Sequence, residues 1–236
     1  MQSIAEEWLR RVEAEYRSAA AAQHYTLWLI QAGASPDLIV DGMHIAEDEI
    51  GHASMSHQVF LAAEGRGGPQ IDRESLGLLR QRETLEEDLL IEGVRFFCLG
   101  ETVAVPLFQR MREQCNVEIA SQALEQILVD EVRHRDFGWT LLDWLLAGEQ
   151  GPALRATLER ELPSMISAIA ESYLGARDAA EISQREREWG LLAGSEYAEV
   201  LERCYQRDYL PRFAACGVTL PATLVVPAPA GSSPTP

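Results

Sequence analysis

The chain has 236 residues, 47% of them hydrophobic, enough for one globular core or two small ones. Its formal net charge is −17 and all 20 basic residues are arginine, so no basic run is available to meet a phosphate backbone and nucleic-acid partners are disfavoured. No window is long and apolar enough for a membrane span, and the charged first ten residues lack the apolar run of a secretory signal.

The predicted elements are all helical. Ser3 is placed to cap a first helix that runs to Gln31, along which Ile4, Trp8, Val12, Glu15, Ala19, Ala22, Thr26 and Leu29 recur at helical spacing. Glu15 is a carboxylate in that otherwise apolar stripe, and a buried acid is rare unless something pairs it. His24 lies off the stripe and reads as a packing residue. Gly33-Ala34-Ser35-Pro36 breaks the chain and starts a second helix, which ends before the loop Gly65-Arg66-Gly67-Gly68-Pro69. Its stripe is Leu38, Gly42, Ile45, Glu49, His52, Ser56 and Val59, with His44 and His57 pointing off that face.

A short helical piece is expected after Asp72, and Thr84-Leu85-Glu86-Glu87 reads as a capping box opening a third long helix. Its stripe, Leu90, Val94, Phe97, Glu101, Ala104, Phe108 and Met111, again holds a single acid. Glu92 is the alternative, in a more polar neighbourhood and nine residues away. Pro106 denies an amide to the Thr102 carbonyl, which predicts a kink or bulge beside Glu101 and room there for a substrate. Asn116 is placed to cap a fourth helix that continues to Leu146 and stops at Gly148, with the stripe Leu124, Ile127, Glu131, His134, Gly138, Leu141 and Leu145. Further helices are expected at about 153–175 with a break at Pro163, at about 179–193 and at about 195–214. They carry no legible chemistry and read as a cover or as the interface of a homodimer. The expected organisation is thus residues 1–147 bearing the site, 148–216 packed on them, and 217–236 as a flexible Pro/Ala/Ser-rich tail.

Two pentapeptides concentrate the chemistry: Asp48-Glu49-Ile50-Gly51-His52 and Asp130-Glu131-Val132-Arg133-His134. On a helix a Glu and a His three positions apart share one face, so a carboxylate oxygen and an imidazole nitrogen reach one point, which is a metal-ligand spacing. Glu101 and Glu131 lie about 14 residues on either side of the turn near Cys115, roughly 21 Å along each helix, and therefore face each other. Glu15 and Glu49 come level in the same way across Gly33. Glu15, Glu49, Glu101, Glu131 and the two imidazoles then converge, and their charge of about −4 balances two divalent cations. Each aspartate is rotated about 100° from its neighbouring glutamate toward another helix. This predicts that Asp48 orients His134 and Asp130 orients His52.

The order Glu15, Glu49-x-x-His52, Glu101, Glu131-x-x-His134 resembles the ferritin-like di-iron carboxylate proteins, over roughly residues 3–147. The spacing looks most like the tRNA-hydroxylase branch and related bacterial oxygenases. The resemblance implies an all-α fold built on a four-helix bundle, with two iron ions, or manganese, on the six ligands and with Glu101 and Glu131 as catalytic residues. The scattered Cys98, Cys115, Cys204 and Cys216 form no Cys-x-x-Cys pair, which a rubredoxin module would need, and read as free thiols of the cytoplasm. Ser56 stands four residues after His52 and no tyrosine is near in that segment, against a radical-bearing reductase subunit. The expected function is therefore an oxygenase or oxidase that activates O2 to hydroxylate, N-oxygenate or desaturate a small organic substrate. Val94, Phe97, Ala104, Phe108, Leu124 and Ile127 would line its pocket, and an external reductase or ferredoxin would supply electrons. The alternative is a ferroxidase or peroxide-scavenging protein without organic substrate.

Overall fold

In the computed structural model, residues 2–174 and 181–224 are described, and among them the regular structure is entirely helical. Helix α1 (Gln2–Gln31) and helix α2 (Pro36–Ala62) form a tight antiparallel pair. Gly33, at a φ of 70°, makes the left-handed turn between them, and Ser35 with Pro36 opens α2. Close approach needs Gly42, because a Cβ there would stand 2.6 Å from Thr26 Oγ1. After α2 comes a loop with one 3-10 turn, Arg73–Ser75. Next, α3 (Leu85–Gly93), a π-helical stretch (Val94–Glu101) and α4 (Thr102–Gln114) follow without a break as one rod. Thr84 caps it, its side chain accepting the Glu87 amide at 3.2 Å. Helix α5 (Glu118–Ala147) runs back beside that rod. It packs on α2 as well, while α3 returns to α1.

The π-helical stretch is accommodated by its neighbours. Beyond its end, in α4, Pro106 removes the amide that would bond the Thr102 carbonyl one turn earlier. Wide turns leave carbonyls to be satisfied from outside, and Tyr209 Oη donates to the Leu99 carbonyl at 2.6 Å. Gly138 of α5 lets the stretch lie close, since a Cβ there would meet Phe97 at 2.7 Å. Phe97 packs edge-on between Tyr25 and Phe137, with ring centroids 5.2 and 5.0 Å away.

The C-terminal segments cover this core. Helix α6 (Gly151–Leu174) packs on α3, α5 and the π stretch, α7 (Gln184–Glu188) on α4, and α8 (Gly194–Cys204) on α4 and α6. A second π turn (Tyr205–Tyr209) leads into α9 (Leu210–Ala215). Of the stretch 217–236, residues 217–224 are described. Val218 is buried there, and Tyr205 Oη donates to the Pro221 carbonyl at 2.6 Å. Residues 225–236, the bulk of the expected tail, fall outside the described residues, as do 175–180.

Four local expectations are corrected. Ser3 lies inside α1 rather than capping it, and its hydroxyl donates to Glu186 Oε1 at 2.8 Å. Asn116 does not cap α5, which begins after Val117; the amides of Asn116 and Val117 both donate to the Glu188 carbonyl instead. Helix α6 runs through Pro163 without a break, because that residue is on the exposed side where water can satisfy the freed carbonyl. The helix expected at 179–193 is only five residues long. Among the described residues the four cysteines are free, and no helix is long and apolar enough to cross a membrane.

Glu196 ties α4, α7 and α8 together. Its carboxylate accepts from Gln114 Nε2 at 2.9 Å, the Ala193 amide at 3.1 Å, Arg110 Nη2 at 3.2 Å and Arg187. Burial alone would raise this acid, but the hydrogen bonds from Gln114, Ala193 and Arg187 hold it at about 2 rather than 4.5. A depressed carboxylate contributes stability that is complete above its unfolded pKa and lost as pH falls through the folded one. Glu196→Gln should therefore lower stability at pH 7 by about 2 kcal/mol. In urea titrations the gap to wild type should close as pH drops from 4.5 toward 2.

Candidate metal centre

Helix α2 contributes Glu49 and His52, and α5 contributes Glu131 and His134, each pair from one face of its helix. The two Nδ1 atoms face each other across both carboxylates. His52 Nδ1 is 3.5 Å from Glu49 Oε2 and 3.7 Å from Glu131 Oε1. His134 Nδ1 is 3.3 Å from Glu49 Oε1 and 3.6 Å from Glu131 Oε2. All four residues are buried. Glu15 of α1 joins Glu49 and His52 with ligand atoms within 4.8 Å of one another, and Glu49, Glu131 and His134 form a second such group. Glu101 ends the π stretch half-buried beside Glu131 and belongs to neither group. The six expected ligands are thus brought into one region, four tightly, Glu15 against Glu49 and Glu101 against Glu131.

The crossed aspartates complete the arrangement. His52 Nε2 lies 3.1 Å from Asp130 Oδ2, and His134 Nε2 lies 3.1 Å from Asp48 Oδ2. Such a bond fixes the ring and leaves Nδ1 for the interior. Sequence reasoning missed the next layer. Gln126 Nε2 donates to Asp130 Oδ2 at 2.9 Å, and Arg133 spans both aspartates. Its place two residues after Glu131 inside a charged pentapeptide is the signal that was there to be read.

Whether these residues suit a metal can be judged from what they lack. Glu49 Oε2, Glu131 Oε2, His52 Nδ1 and His134 Nδ1 are buried without a hydrogen-bond partner. Two ligand atoms about 2.1 Å from a common ion, at angles of 90–110°, stand about 3.0–3.5 Å apart, close to the spacings found here. The donor set of carboxylate oxygens and imidazole nitrogens suits a borderline divalent ion. The buried groups can therefore hold a metal.

Without cations, protons take that role. Burial, then the facing Glu49, pushes the Glu15 carboxyl well above its usual range, and burial with Glu131 does the same to Glu101. Burial would raise Glu49 too, yet the imidazoles of His134 and His52 facing it bring it to about 2. Burial opposes charge on both imidazoles but is outweighed by the glutamate carboxylates facing them, so His52 is raised and His134 reaches about 12. The shifts of Glu15, Glu101, His52 and His134 all favour the protonated forms, which divalent cations would displace.

A cavity of about 420 Å³ opens directly on Glu15, Glu49, Glu101 and Glu131. Ala104 and Phe108 line it as expected, with Phe96, Leu107 and Met111 from the same rod. Val94, Phe97, Leu124 and Ile127 are not in its wall; all four are core residues on the inner sides of their helices. Phe97 touches only a small void of about 10 Å³ near Glu49 and Glu101, and Leu124 faces Gly190. The opposite wall comes from the C-terminal helices, which were read as carrying no chemistry: Ile169, Ser172 and Tyr173 of α6 and Tyr197 of α8. Burial and the nearby Glu101 raise the Tyr173 phenol, and its ring stacks on Tyr197. The remaining histidines do other work. His24 Nδ1 accepts the Leu78 amide, His57 stacks on Phe60, and His44 lines a separate surface hollow. Glu92 pairs with Arg95.

Comparison of the chain with protein-family models, curated proteins and solved structures finds no match in any of the three.

Two outcomes follow from this geometry. Loading with divalent cations should release protons at neutral pH, seen with a pH-stat, so apparent affinity rises with pH. Asp130→Asn or Asp48→Asn should weaken metal binding about 10- to 100-fold in a chelator competition while the circular dichroism spectrum stays unchanged.

Proposed function

We propose that α1, α2, the α3–α4 rod and α5 form a ferritin-like four-helix bundle around two iron ions, and that the protein is an O2-dependent oxygenase or oxidase of a small organic molecule. The observation that carries this reading is the junction of two features: four buried, unpartnered ligand atoms, and a cavity of about 420 Å³ that reaches the surrounding glutamates. A centre serving only to oxidise iron gains nothing from aromatic and aliphatic walls. Phe96, Phe108, Ile169 and Tyr173 suit an organic substrate instead.

Glu15, Glu49, His52, Glu101, Glu131 and His134 would hold the ions, manganese being the other metal this donor set accepts. Two bound ferrous ions would supply electrons to O2 and the oxidising power the reaction needs. The chain's own part is preparation. Glu49 and Glu131 each face both imidazoles, so either carboxylate could join either histidine in holding an ion. Asp48 and Asp130 hold the imidazole protons on Nε2 and keep Nδ1 turned inward. Glu101 sits on the π stretch at the cavity floor, where a raised carboxyl can hold or yield a proton beside the substrate. The apolar wall limits water at the reacting end. No sequence motif for a flavin or iron–sulfur cluster is present, so a separate reductase or ferredoxin would supply electrons for repeated turnover, unless the substrate brings its own.

Replacing Glu101 by Ala should abolish turnover, a loss of at least about 100-fold, while the melting temperature changes little, because the half-buried position accepts Ala. The test is a single exposure of the anaerobically iron-loaded chain to O2 with candidate substrates, followed by mass spectrometry of the small molecules. One oxidised product per centre supports the reading. Ferric mineral formed at the same rate with and without every organic compound would instead favour iron oxidation.

A further inference from the structure

Arg11 is the charged group of the cavity wall that the metal chemistry leaves unused. It is only 8% exposed. Its guanidinium lies over the Trp8 ring, with Cζ 4.2 Å from the centroid, and Nη2 donates to the Gly190 carbonyl at 2.9 Å and to Met111 Sδ at 3.3 Å. Gly190 can offer that carbonyl because it takes a φ of 78°, and a side chain there would collide with Leu124. Nη1 is buried and has no hydrogen-bond partner. Every group touching the guanidinium in these contacts is neutral.

The surrounding charges leave it unbalanced. Glu7 and Arg95, the other charged residues of the wall outside the glutamate cluster, are ion-paired with Arg10 and Glu92. Among the described residues no carboxylate lies within ion-pair distance of Arg11; Glu15, one turn along α1, is turned to the Glu49 side of the centre and feels the Arg11 charge only as the weakest of the influences on its carboxyl. Four glutamates with two divalent cations sum to zero, so the positive charge of Arg11 remains. A buried, partly unsatisfied cation is costly, and it persists most readily where a ligand of opposite charge completes it.

We infer that the cavity takes a small organic monocarboxylate whose carboxylate docks on the Arg11 guanidinium in the cavity wall and whose apolar body lies along Phe108 toward Glu101. This rests on the reading of the cavity as the substrate site of the centre. A monoanion matches the single residual charge, whereas a neutral molecule leaves it unbalanced. The guanidinium is already held by Trp8, Gly190 and Met111, so little ordering is needed when the acid arrives. Arg11 also lies on the same face of α1 as Trp8 and Glu15, a pattern visible in the sequence.

The experiment is calorimetric titration of the full chain with octanoate and with 3-phenylpropanoate, each against its own amide, on anaerobically iron-loaded and on chelator-treated protein. Metal content is measured on the same samples. At least one acid should bind about ten- to a hundredfold more tightly than its amide, the difference expected of a charge-assisted hydrogen bond. Arg11→Met should erase that preference and Arg11→Lys should keep part of it, with both variants compared at equal metal content and equal circular dichroism. Equal binding of acid and amide by the wild type overturns the inference, as does no binding of either acid. These wild-type results hold even if Arg11→Met fails to fold. A preference that survives in Arg11→Met overturns it too, since the acid is then held elsewhere, for instance by the ions. A chain that binds no metal yet shows the Arg11-dependent preference supports the anchor and removes the di-iron reading. Two metals with no preference does the reverse.

Discussion

Burying like charges side by side is the constraint on which the rest of this structure depends. Glu49 and Glu131 are almost wholly out of water and share their space with two imidazoles, with Glu15 and Glu101 behind them. Coulomb repulsion among such groups is large at low dielectric, so the arrangement persists only where protons or cations neutralise it. Each histidine answers that demand by turning Nδ1 inward and giving Nε2 to an aspartate on the other helix. The crossing locks the register of α2 against α5: a shift by one residue would rotate each aspartate away from its histidine and each glutamate out of the interior.

Backbone proximity follows from the same demand. Gly42 lets α1 press on α2, and Gly138 lets α5 press on the π-helical stretch, so the four acids come close enough to share counter-charge. The price is a wider helical turn at Val94–Glu101, whose Leu99 carbonyl is taken up by Tyr209 from the far end of the chain. That contact explains why the C-terminal segments are more than a cover. They finish the hydrogen bonding of the rod that carries Glu101, and α6 and α8 enclose the cavity beside it.

The sequence shows the centre more clearly than the cavity, for a physical reason. Helical spacing is local, so Glu49 with His52 and Glu131 with His134 can be read from single segments. A lone acid in an apolar stripe marks Glu15 and Glu101 just as directly. The cavity is a property of what several helices leave unfilled. Phe97 and Leu124 belong to the same stripes as Phe108, yet Phe97 fills the space between Tyr25 and Phe137 while Phe108 borders the void. Tyr173 and Tyr197 reach it from helices more than 70 residues beyond Glu101 in the chain, which no periodicity connects to the site. Caps fail for a related reason: Asn116 was eligible by type, but a carbonyl from Glu188, far along the chain, takes its amide instead. Arg11 was legible one turn before Glu15 and stayed unread because a lone arginine near a helix start is ordinary until its burial is known.

The function proposed for this centre depends on whether cations occupy the space between the two imidazoles. That can be answered by diffraction from crystals grown with ferrous iron under anaerobic conditions, with data collected on both sides of the iron absorption edge. Two anomalous peaks per chain are expected, among Nδ1 of His52, Nδ1 of His134 and the Glu49 and Glu131 carboxylates, with Glu15 and Glu101 on opposite outer sides. An interior with no anomalous peak, or iron bound only to surface acids, would contradict the di-iron reading.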